Sequence, residues 1–168
     1  MQWGDLADQP CSFSRTMSVI GDRWTLMILR DCFMKVRRFE EFHERLGIGR
    51  SILTDRLNKL VDNEVLARVP YQQSPLRYEY RLTQKGIDLH PIIMGIVHWG
   101  DRHIAGSEGR PLLHHHTTCG HDFDPLLTCS HCGGQVDARE VTISPGPGAR
   151  GDAHMPPVAG RSPARSAR

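Results

Sequence analysis

The chain has 168 residues, of which 39% are hydrophobic and 24% charged, and its formal net charge is +2. This length leaves room for one domain of ordinary size and a small appendage, and the composition is that of a globular protein. The apolar run from Ile92 to Val97 is too short to cross a bilayer. The N-terminal residues contain no apolar stretch of the kind that a signal peptide needs. We therefore expect a cytoplasmic protein with no membrane partner.

The first part of the chain predicts a mainly helical domain, which we place at residues 11–104. Two helical patterns lie on either side of Gly21 and Asp22, and the second of them, Trp24–Met34, is apolar nearly all round. Such a helix usually forms the buried centre of a small bundle. We expect Cys32, which lies on this helix, to be unreactive packing.

A helix-turn-helix is predicted next. In RRFEEFHERLG the apolar residues follow a helical spacing, and the glycine ends the pattern. After a short GIG turn, RSILTDRLNKLVDNEV carries Leu53, Leu57 and Leu60 on one face of a second helix. Two short helices joined by a turn that contains glycine are typical of the helix-turn-helix motif.

A β-hairpin and a further helix complete the predicted domain. Aromatic and apolar residues alternate with charged ones in YEYRL, and a turn cluster at residues 72–75 precedes them, which indicates a hairpin. Thr83 is the expected N-cap of the last helix, and Pro91 either lies in its first turns or bends it. This helix has more apolar positions than one core-facing stripe requires. We expect its second face to meet a partner; the alternative is a fully buried helix in a monomer.

The order of these elements is that of a winged helix-turn-helix domain, mainly α with a β-hairpin wing (α+β). Several segments occur together in this order: a cysteine at the start of the first helix (Cys11), then IGDRWTLMILRD, RRFEEF, LTDRLNKL, VLARVPY, YEYRLTQKG and HWGDRHI. On these segments the chain resembles the HxlR-type family of bacterial transcriptional regulators over roughly residues 11–104. The family usually has a serine where this chain has Gly49, and glycine is an acceptable N-cap.

The resemblance implies a DNA-binding regulator rather than an enzyme. It implies a homodimer whose terminal helices form the dimer interface and which binds a double-stranded DNA operator. We expect a repressor acting on a pseudo-palindromic operator, with activation as the alternative. A small-molecule or thiol-reactive signal is a further expectation, without an identified effector.

The polar face of the second helix of the motif is predicted to contact DNA, because the N-terminal part of that helix meets base edges in the major groove. The residues expected to read bases are Arg50, Ser51, Thr54, Asp55 and Asn58. Lys59 lies at the edge of this face and is expected to meet solvent or backbone. Phosphate contacts are expected from Arg77 in the wing and from Arg37 and Arg38 before the motif. The alternative is an ordinary solvated polar surface.

Cys11 is a candidate thiol sensor. It lies at the start of the first helix, where the positive end of the helix dipole lowers the pKa of a thiol, and Arg15 adds to this effect. In some regulators of the family that the chain resembles, the equivalent cysteine senses electrophiles or oxidants. The alternative is a small residue packed beside the helix.

A cysteine- and histidine-rich segment at residues 110–143 predicts a structural zinc site. The chain has five cysteines, and three of them lie close together in this segment. The pairs His116–Cys119 and Cys129–Cys132 have the two-residue spacing of zinc knuckles, and each is followed by glycine. His114, His115 and His121 compete with His116 for the fourth ligand position. Loose thiols in a half-ordered extension are the alternative.

This segment favours neither catalysis nor base reading. The zinc deaminases combine H-x-E with P-C-x-x-C, and TCSHC lacks the proline, while no histidine of the segment is followed two residues later by glutamate. A Cys₂His₂ finger would need a histidine pair on a helix. A zinc- or thiol-dependent enzyme and a protein-interaction module remain the competing interpretations of the whole chain. The proline- and arginine-rich residues 144–168 are predicted to be a disordered tail.

Overall fold

The computed structural model of the chain describes residues 6–149. Contacts divide it into two compact units, one that ends at Pro125 and one that begins at Leu126. Of the predicted disordered tail, residues 150–168 lie outside the described residues. Within the described part of the chain, no helix is long and apolar enough to span a membrane.

The first unit begins with two helices, α1 (Ser12–Ile20) and α2 (Arg23–Phe33). The carboxylate of Asp22 caps α2 by accepting hydrogen bonds from the N–H groups of Trp24 at 3.0 Å and Thr25 at 3.2 Å. Ile28 and Leu29 of α2 are completely buried. The prediction that α2 is the buried centre of the domain is therefore confirmed.

Helices α3 (Phe39–Leu46) and α4 (Arg50–Asp62) form the helix-turn-helix. Gly47 ends α3 in the left-handed region with a φ of 61°, which glycine adopts without steric strain. Ile48 is buried in the turn, and its carbonyl oxygen lies 2.8 Å from Nδ1 of His43. Gly49 is the N-cap of α4, as predicted.

The wing consists of β1 (Leu66–Gln73) and β2 (Leu76–Leu82), which pair antiparallel with Leu66 opposite Leu82. The register shifts between Pro70 and Gln72, so the strand is irregular there. The N–H of Tyr80 donates to the carbonyl oxygen of Arg37 at 2.7 Å. The segment before α3 is thereby attached to the hairpin.

Two helices follow the wing, α5 (Gln84–Ile87) and α6 (His90–His103), where a single helix was predicted. Thr83 caps α5 as expected, because its hydroxyl oxygen accepts from the N–H of Gly86 at 3.1 Å. Pro91 lies in the first turn of α6. Proline has no N–H to donate to the carbonyl oxygen four residues earlier, which costs nothing in the first turn of a helix. Pro91 therefore suits the start of α6 better than the interior of one continuous helix.

The first unit continues past α6 through a 3₁₀ turn (Gly106–Glu108) to the short strands β3 (His115–His116) and β4 (His121–Asp122). Asp124 attaches this segment to the helical part of the unit. Its carboxylate accepts a two-point hydrogen bond from Arg110 at 2.6 and 3.1 Å, and Nδ1 of His98 on α6 lies 3.4 Å away. The second unit contains the loop around Cys129 and a 3₁₀ turn (Ala138–Glu140).

Candidate nucleic-acid interface

The outer face of α4 carries most of the residues predicted to read bases. Ser51, Thr54 and Asp55 are exposed, whereas the three leucines of the opposite face are completely buried. Because α4 packs this apolar stripe against α2, its polar face points away from the core. The three side chains therefore form an accessible polar surface.

Arg50, at the start of α4, is held by a residue that the sequence did not single out. Its Nη1 and Nη2 donate to Oε1 and Oε2 of Glu40 at 2.9 and 2.6 Å. The guanidinium also lies 5.5 Å from the centre of the Phe39 ring. The hydrogen bonds from Arg50 hold the pKa of Glu40 below its usual value, and the same contact raises the pKa of Arg50. Arg50 is thus anchored to α3 while remaining exposed.

Asn58 is half-buried, and its Oδ1 accepts a hydrogen bond from the guanidinium of Arg68 in β1. This contact connects the centre of α4 to the wing. In the sequence Arg68 is one charged residue in an alternating strand, and only the packing of β1 against α4 brings it to Asn58.

Lys59 lies one helical turn after Asp55, toward the edge of the polar face. It is half-buried and lines a cleft between α4 and the turn before α2, beside Asp22 and Arg23. This position agrees with its expected place at the edge of the polar face.

An ion pair between α4 and α2 was not predicted. Nε of Arg56 donates to Oδ1 of Asp22 at 2.8 Å, and the same oxygen caps α2. Burial raises the pKa of Asp22, but hydrogen bonds from Arg56 and from the N–H groups of Thr25 and Trp24 outweigh it, so the pKa lies below its usual value. We assign Arg56 to the scaffold that holds α4 in place.

The predicted phosphate contacts lie in the wing and just before α3. All three are exposed: Arg37, Arg38 and Arg77. The Arg38 guanidinium lies 4.4 Å from the centre of the Tyr71 ring, a cation–π contact that orients it. Arg38 and Arg77 line a groove between α3 and the wing together with Glu40. Arg38 and Arg77 therefore lie on the same side of the first unit as Glu40, the residue that holds Arg50.

Cys11 is exposed and is the N-cap residue of α1, as expected. Its thiol makes no cap hydrogen bond of ordinary geometry. The backbone N–H and the hydroxyl of Ser14, with smaller effects from Phe13 and Arg15, nevertheless hold the pKa of the thiol below its usual value. By contrast, burial raises the pKa of Cys32 to about 12. Thiolate reactivity is therefore expected at Cys11 and not at Cys32.

Helix α6 has two apolar faces. Ile93 and Met94 are buried in the core, whereas Ile92, Ile96 and Trp99 are 43%, 52% and 58% exposed. The spacing of the exposed residues places them on one side of the helix. Within the described part of the chain α6 is therefore not fully buried, and one of its apolar faces is exposed.

The first predicted zinc knuckle is a tight turn after β3. The N–H groups of Cys119 and Gly120 donate to the carbonyl oxygen of His116 at 3.2 and 2.7 Å. Nδ1 of His116 lies 3.4 Å from Sγ of Cys119. Two ligands of one tetrahedral zinc ion are about 3.6 Å apart, given zinc–nitrogen and zinc–sulfur bonds of roughly 2.1 and 2.3 Å. This pair therefore has the spacing of adjacent zinc ligands.

The histidines that compete with His116 make other contacts. Nδ1 of His115 contacts the carboxylate of Asp122 across the two short strands. Nδ1 of His121 lies 2.8 Å from the carbonyl oxygen of Cys119. His114 is half-buried, and its carbonyl oxygen accepts from the N–H of Phe123 at 3.0 Å.

The second knuckle lies in the second unit. Cys129 donates its N–H to the carbonyl oxygen of Gly134 at 2.8 Å, and Gly133 donates to that of Cys129 at 2.8 Å. The N–H groups of Cys132 and His131, and then the Cys132 side chain, lower the pKa of the Cys129 thiol. Among the residues that the structure describes, no group of three or more His, Cys, Asp or Glu side chains is placed to hold a metal ion. The zinc site stays a prediction.

Comparison with known proteins places this architecture in a family. The model of the HxlR-like helix-turn-helix family matches residues 19–108. An uncharacterized HTH-type transcriptional regulator of Mycobacterium tuberculosis (strain H37Rv) is 47% identical over 137 residues, which cover 82% of this chain and 87% of the relative. The HTH-type transcriptional regulator YodB of Bacillus subtilis is 30% identical over 86 residues, covering 51% of this chain and 77% of the relative.

Solved structures agree with this assignment. The crystal structure of a proposed transcription factor superposes with a TM-score of 0.74 at 32% identity, covering 82% of this chain and 96% of the other. The redox regulator HypR in its oxidized form superposes with a TM-score of 0.50 at 31% identity, covering 55% of this chain and 96% of HypR. Together with the accessible second helix of the motif and its adjoining wing, these matches show that the chain belongs to the HxlR-like helix-turn-helix family of DNA-binding transcriptional regulators and is not an enzyme.

Proposed function

We propose that this regulator binds a pseudo-palindromic DNA operator as a homodimer and acts as a repressor in the bacterial cytoplasm. The observation that carries the proposal is the polar face of α4, where Ser51, Thr54 and Asp55 are exposed opposite a completely buried apolar stripe. In a helix-turn-helix this helix enters the major groove, and its N-terminal residues contact base edges.

The side chains on this surface divide into two groups by their chemistry. Arg50 carries two donors that can pair bidentately with guanine, and Asn58 carries one donor and one acceptor that can pair with adenine. Ser51, Thr54 and Asp55 can make single hydrogen bonds to base edges. The cations at the periphery are suited to phosphates, which give affinity with little sequence information. These are Arg37, Arg38, Lys59 and Arg77.

A homodimer through α6 is supported by the uncovered face formed by Ile92, Ile96 and Trp99. Clustered exposed apolar side chains of this size mark interaction sites in soluble proteins. A two-fold axis at this face would bring identical apolar surfaces together. It would also present two copies of α4, which is why a pseudo-palindromic operator is expected.

A thiol-reactive signal is supported by Cys11, which is exposed and has a lowered pKa. The related HypR is named a redox regulator. We propose that this chain likewise responds to a thiol-reactive signal, through Cys11. Loss of DNA release on diamide treatment in a Cys11→Ser variant would support it, whereas unchanged release would contradict it.

We propose further that His116, Cys119, Cys129 and Cys132 hold one structural Zn²⁺. The 3.4 Å spacing of His116 and Cys119 supports the first pair, and the lowered pKa of the Cys129 thiol supports the second. Zinc would then stabilise a segment that has little apolar core of its own.

Footprinting on the region upstream of the gene for this chain tests the DNA contacts. We expect Arg50→Ala to relax the base preference at one position of each half-site. Arg77→Ala should weaken binding to all sequences alike and reduce the slope of log affinity against log salt by about 1. Wild-type affinity in both variants would contradict the assignment of α4 and the wing as the DNA-contacting elements.

Reporter expression from the protected promoter tests the direction of regulation. A repressor lowers expression when the protein is present, and deletion of its gene raises it. Lower expression on deletion would show that the protein is an activator instead.

A further inference from the structure

Glu40 makes an oriented contact with the candidate base-reading residue Arg50. Both carboxylate oxygens accept from the two terminal nitrogens of the guanidinium, at 2.9 and 2.6 Å. The Phe39 ring, one position earlier on α3, lies 5.5 Å from the centre of the same guanidinium. The carboxylate and the ring contact the group from two directions, so its position and the plane in which it lies are both constrained.

The contact is poorly placed to stabilise the fold. Both side chains are 59% exposed, and ion pairs of this exposure contribute little to folding stability because water and salt screen them. An arginine side chain, however, has several rotatable bonds, and ordering it on binding has an entropic cost. A partner that holds the guanidinium before DNA arrives reduces that cost.

The end-on contact also leaves one edge of the guanidinium available. Glu40 engages Nη1 and Nη2, whereas the N–H of Nε and the second hydrogens of the terminal nitrogens are not used by it. A pair of adjacent donors along that edge is able to meet the O6 and N7 acceptors of guanine. The carboxylate therefore selects which edge of Arg50 faces outward.

The surroundings of Glu40 place it at the same surface as the wing. Glu40 lines the groove between α3 and the hairpin together with Arg77 and Arg38. A carboxylate at a surface that meets phosphates reduces affinity for DNA of any sequence. A contribution to DNA affinity therefore does not explain the presence of a glutamate at position 40, whereas control of the orientation of Arg50 does.

We propose that Glu40 is a positioning residue that orients Arg50 toward one base pair of each half-site and so determines the base preference at that position. This inference rests on the proposed function, in which α4 reads the major groove. It adds a residue of α3 to the specificity of the interface, although Glu40 itself need not contact a base.

Selection from a randomised duplex DNA library tests the inference, with full-length wild type, Glu40→Gln, Arg50→Ala and the double variant. Glutamine keeps the shape of glutamate but removes the charge and one of the two acceptors. Glu44→Gln is the matched control, because Glu44 is exposed on the same helix and has no ion pair or side-chain hydrogen bond among the described residues. Thermal unfolding of each variant verifies that the fold is retained.

We expect the wild type and Glu44→Gln to prefer one base at the Arg50 position by about 5- to 150-fold, the range of a bidentate contact. Glu40→Gln should lose most of this preference and keep the rest of the selected sequence. The double variant should select the same sequences as Arg50→Ala, because Glu40 acts through Arg50.

Three outcomes would overturn the inference. Glu40→Gln with an unchanged or sharper preference would show that the carboxylate does not orient Arg50. An equal loss of preference at every position would show a general structural effect. A wild type that selects no sequence at all would overturn the proposed function, and this inference with it, so the two failures are distinguishable.

Discussion

Replacement of Asp31 by asparagine tests the buried ion cluster that joins α2 to α3. Asp31 is completely buried. Its Oδ1 accepts from Nε and Nη2 of Arg30 at 2.9 and 2.7 Å, and its Oδ2 accepts from Nε of Arg45 on α3 at 3.2 Å. Asparagine removes the charge and puts an NH₂ donor where one of the acceptor oxygens was. That donor would face a guanidinium, which has no acceptor to offer.

The structure sets the size of the effect. Removal of one partner from a fully buried ion pair destabilises a protein by about 3–5 kcal/mol. The side chains of Arg30 and Arg45 are 35% and 47% exposed, so both can regain water contacts. We therefore expect a loss of about 2–3 kcal/mol in the free energy of unfolding, discounted for this exposure. For a unit of this size the melting temperature should fall by about 6–18 °C.

Thermal unfolding followed by circular dichroism measures this change. Asp62→Asn is the matched control, because Asp62 is exposed on α4 and forms no ion pair among the described residues. It should melt within experimental error of the wild type. The reasoning is refuted if Asp31→Asn melts at the same temperature as the wild type and this control.

The remaining predictions concern the thiols, the dimer and the zinc site. Iodoacetamide should alkylate Cys11 at a lower pH than an ordinary cysteine, because a thiol with a lowered pKa forms the reactive thiolate at lower pH. Cys32, with a pKa of about 12, should stay unmodified in the folded protein. Equal labelling of the two cysteines in peptide mass spectrometry would contradict this. Ile96→Glu places a charge on the exposed apolar face of α6. We expect the wild type to sediment as the proposed dimer and this variant as a monomer, and equal masses would exclude that interface. If the proposed zinc site exists, elemental analysis should find zinc in the wild type and none in Cys132→Ser, while the winged-helix domain melts at the same temperature in both. Equal zinc content in the two proteins would rule out this ligand.

Local sequence patterns predicted the helices and strands, because each of these patterns extends over only a short stretch of chain. The spacing of Leu53, Leu57 and Leu60 predicted the buried face of α4, and all three side chains are completely buried. Thr83 was predicted as a cap from its place before a helical pattern, and its hydroxyl accepts a backbone hydrogen bond as expected. The same local reasoning overlooked the break between α5 and α6, since it left two roles open for Pro91.

The exposure of the polar face of α4 was predictable from the sequence, but the contacts of its side chains were not. The polar face of α4 follows from helical geometry once its apolar face is known. The partners of that face lie on other elements: Glu40 of α3 holds Arg50, and Arg68 of β1 holds Asn58. Such contacts depend on the angle between helices and on the packing of the wing, neither of which is encoded in a local pattern.

The sequence by itself predicted the order of elements as far as the start of α5, the family to which the chain belongs and the exposed polar face of α4. Periodicity, caps and turn residues act over a few positions, so they can be interpreted without coordinates. Only the tertiary structure decided which charged residues hold helices together and which remain accessible at the surface. Asp31, Asp22 and Arg56 join helices inside the first unit, whereas Glu40 and Arg50 pair at its surface. A charged residue acquires one role or the other through its burial and its partners, and both arise when distant segments pack together.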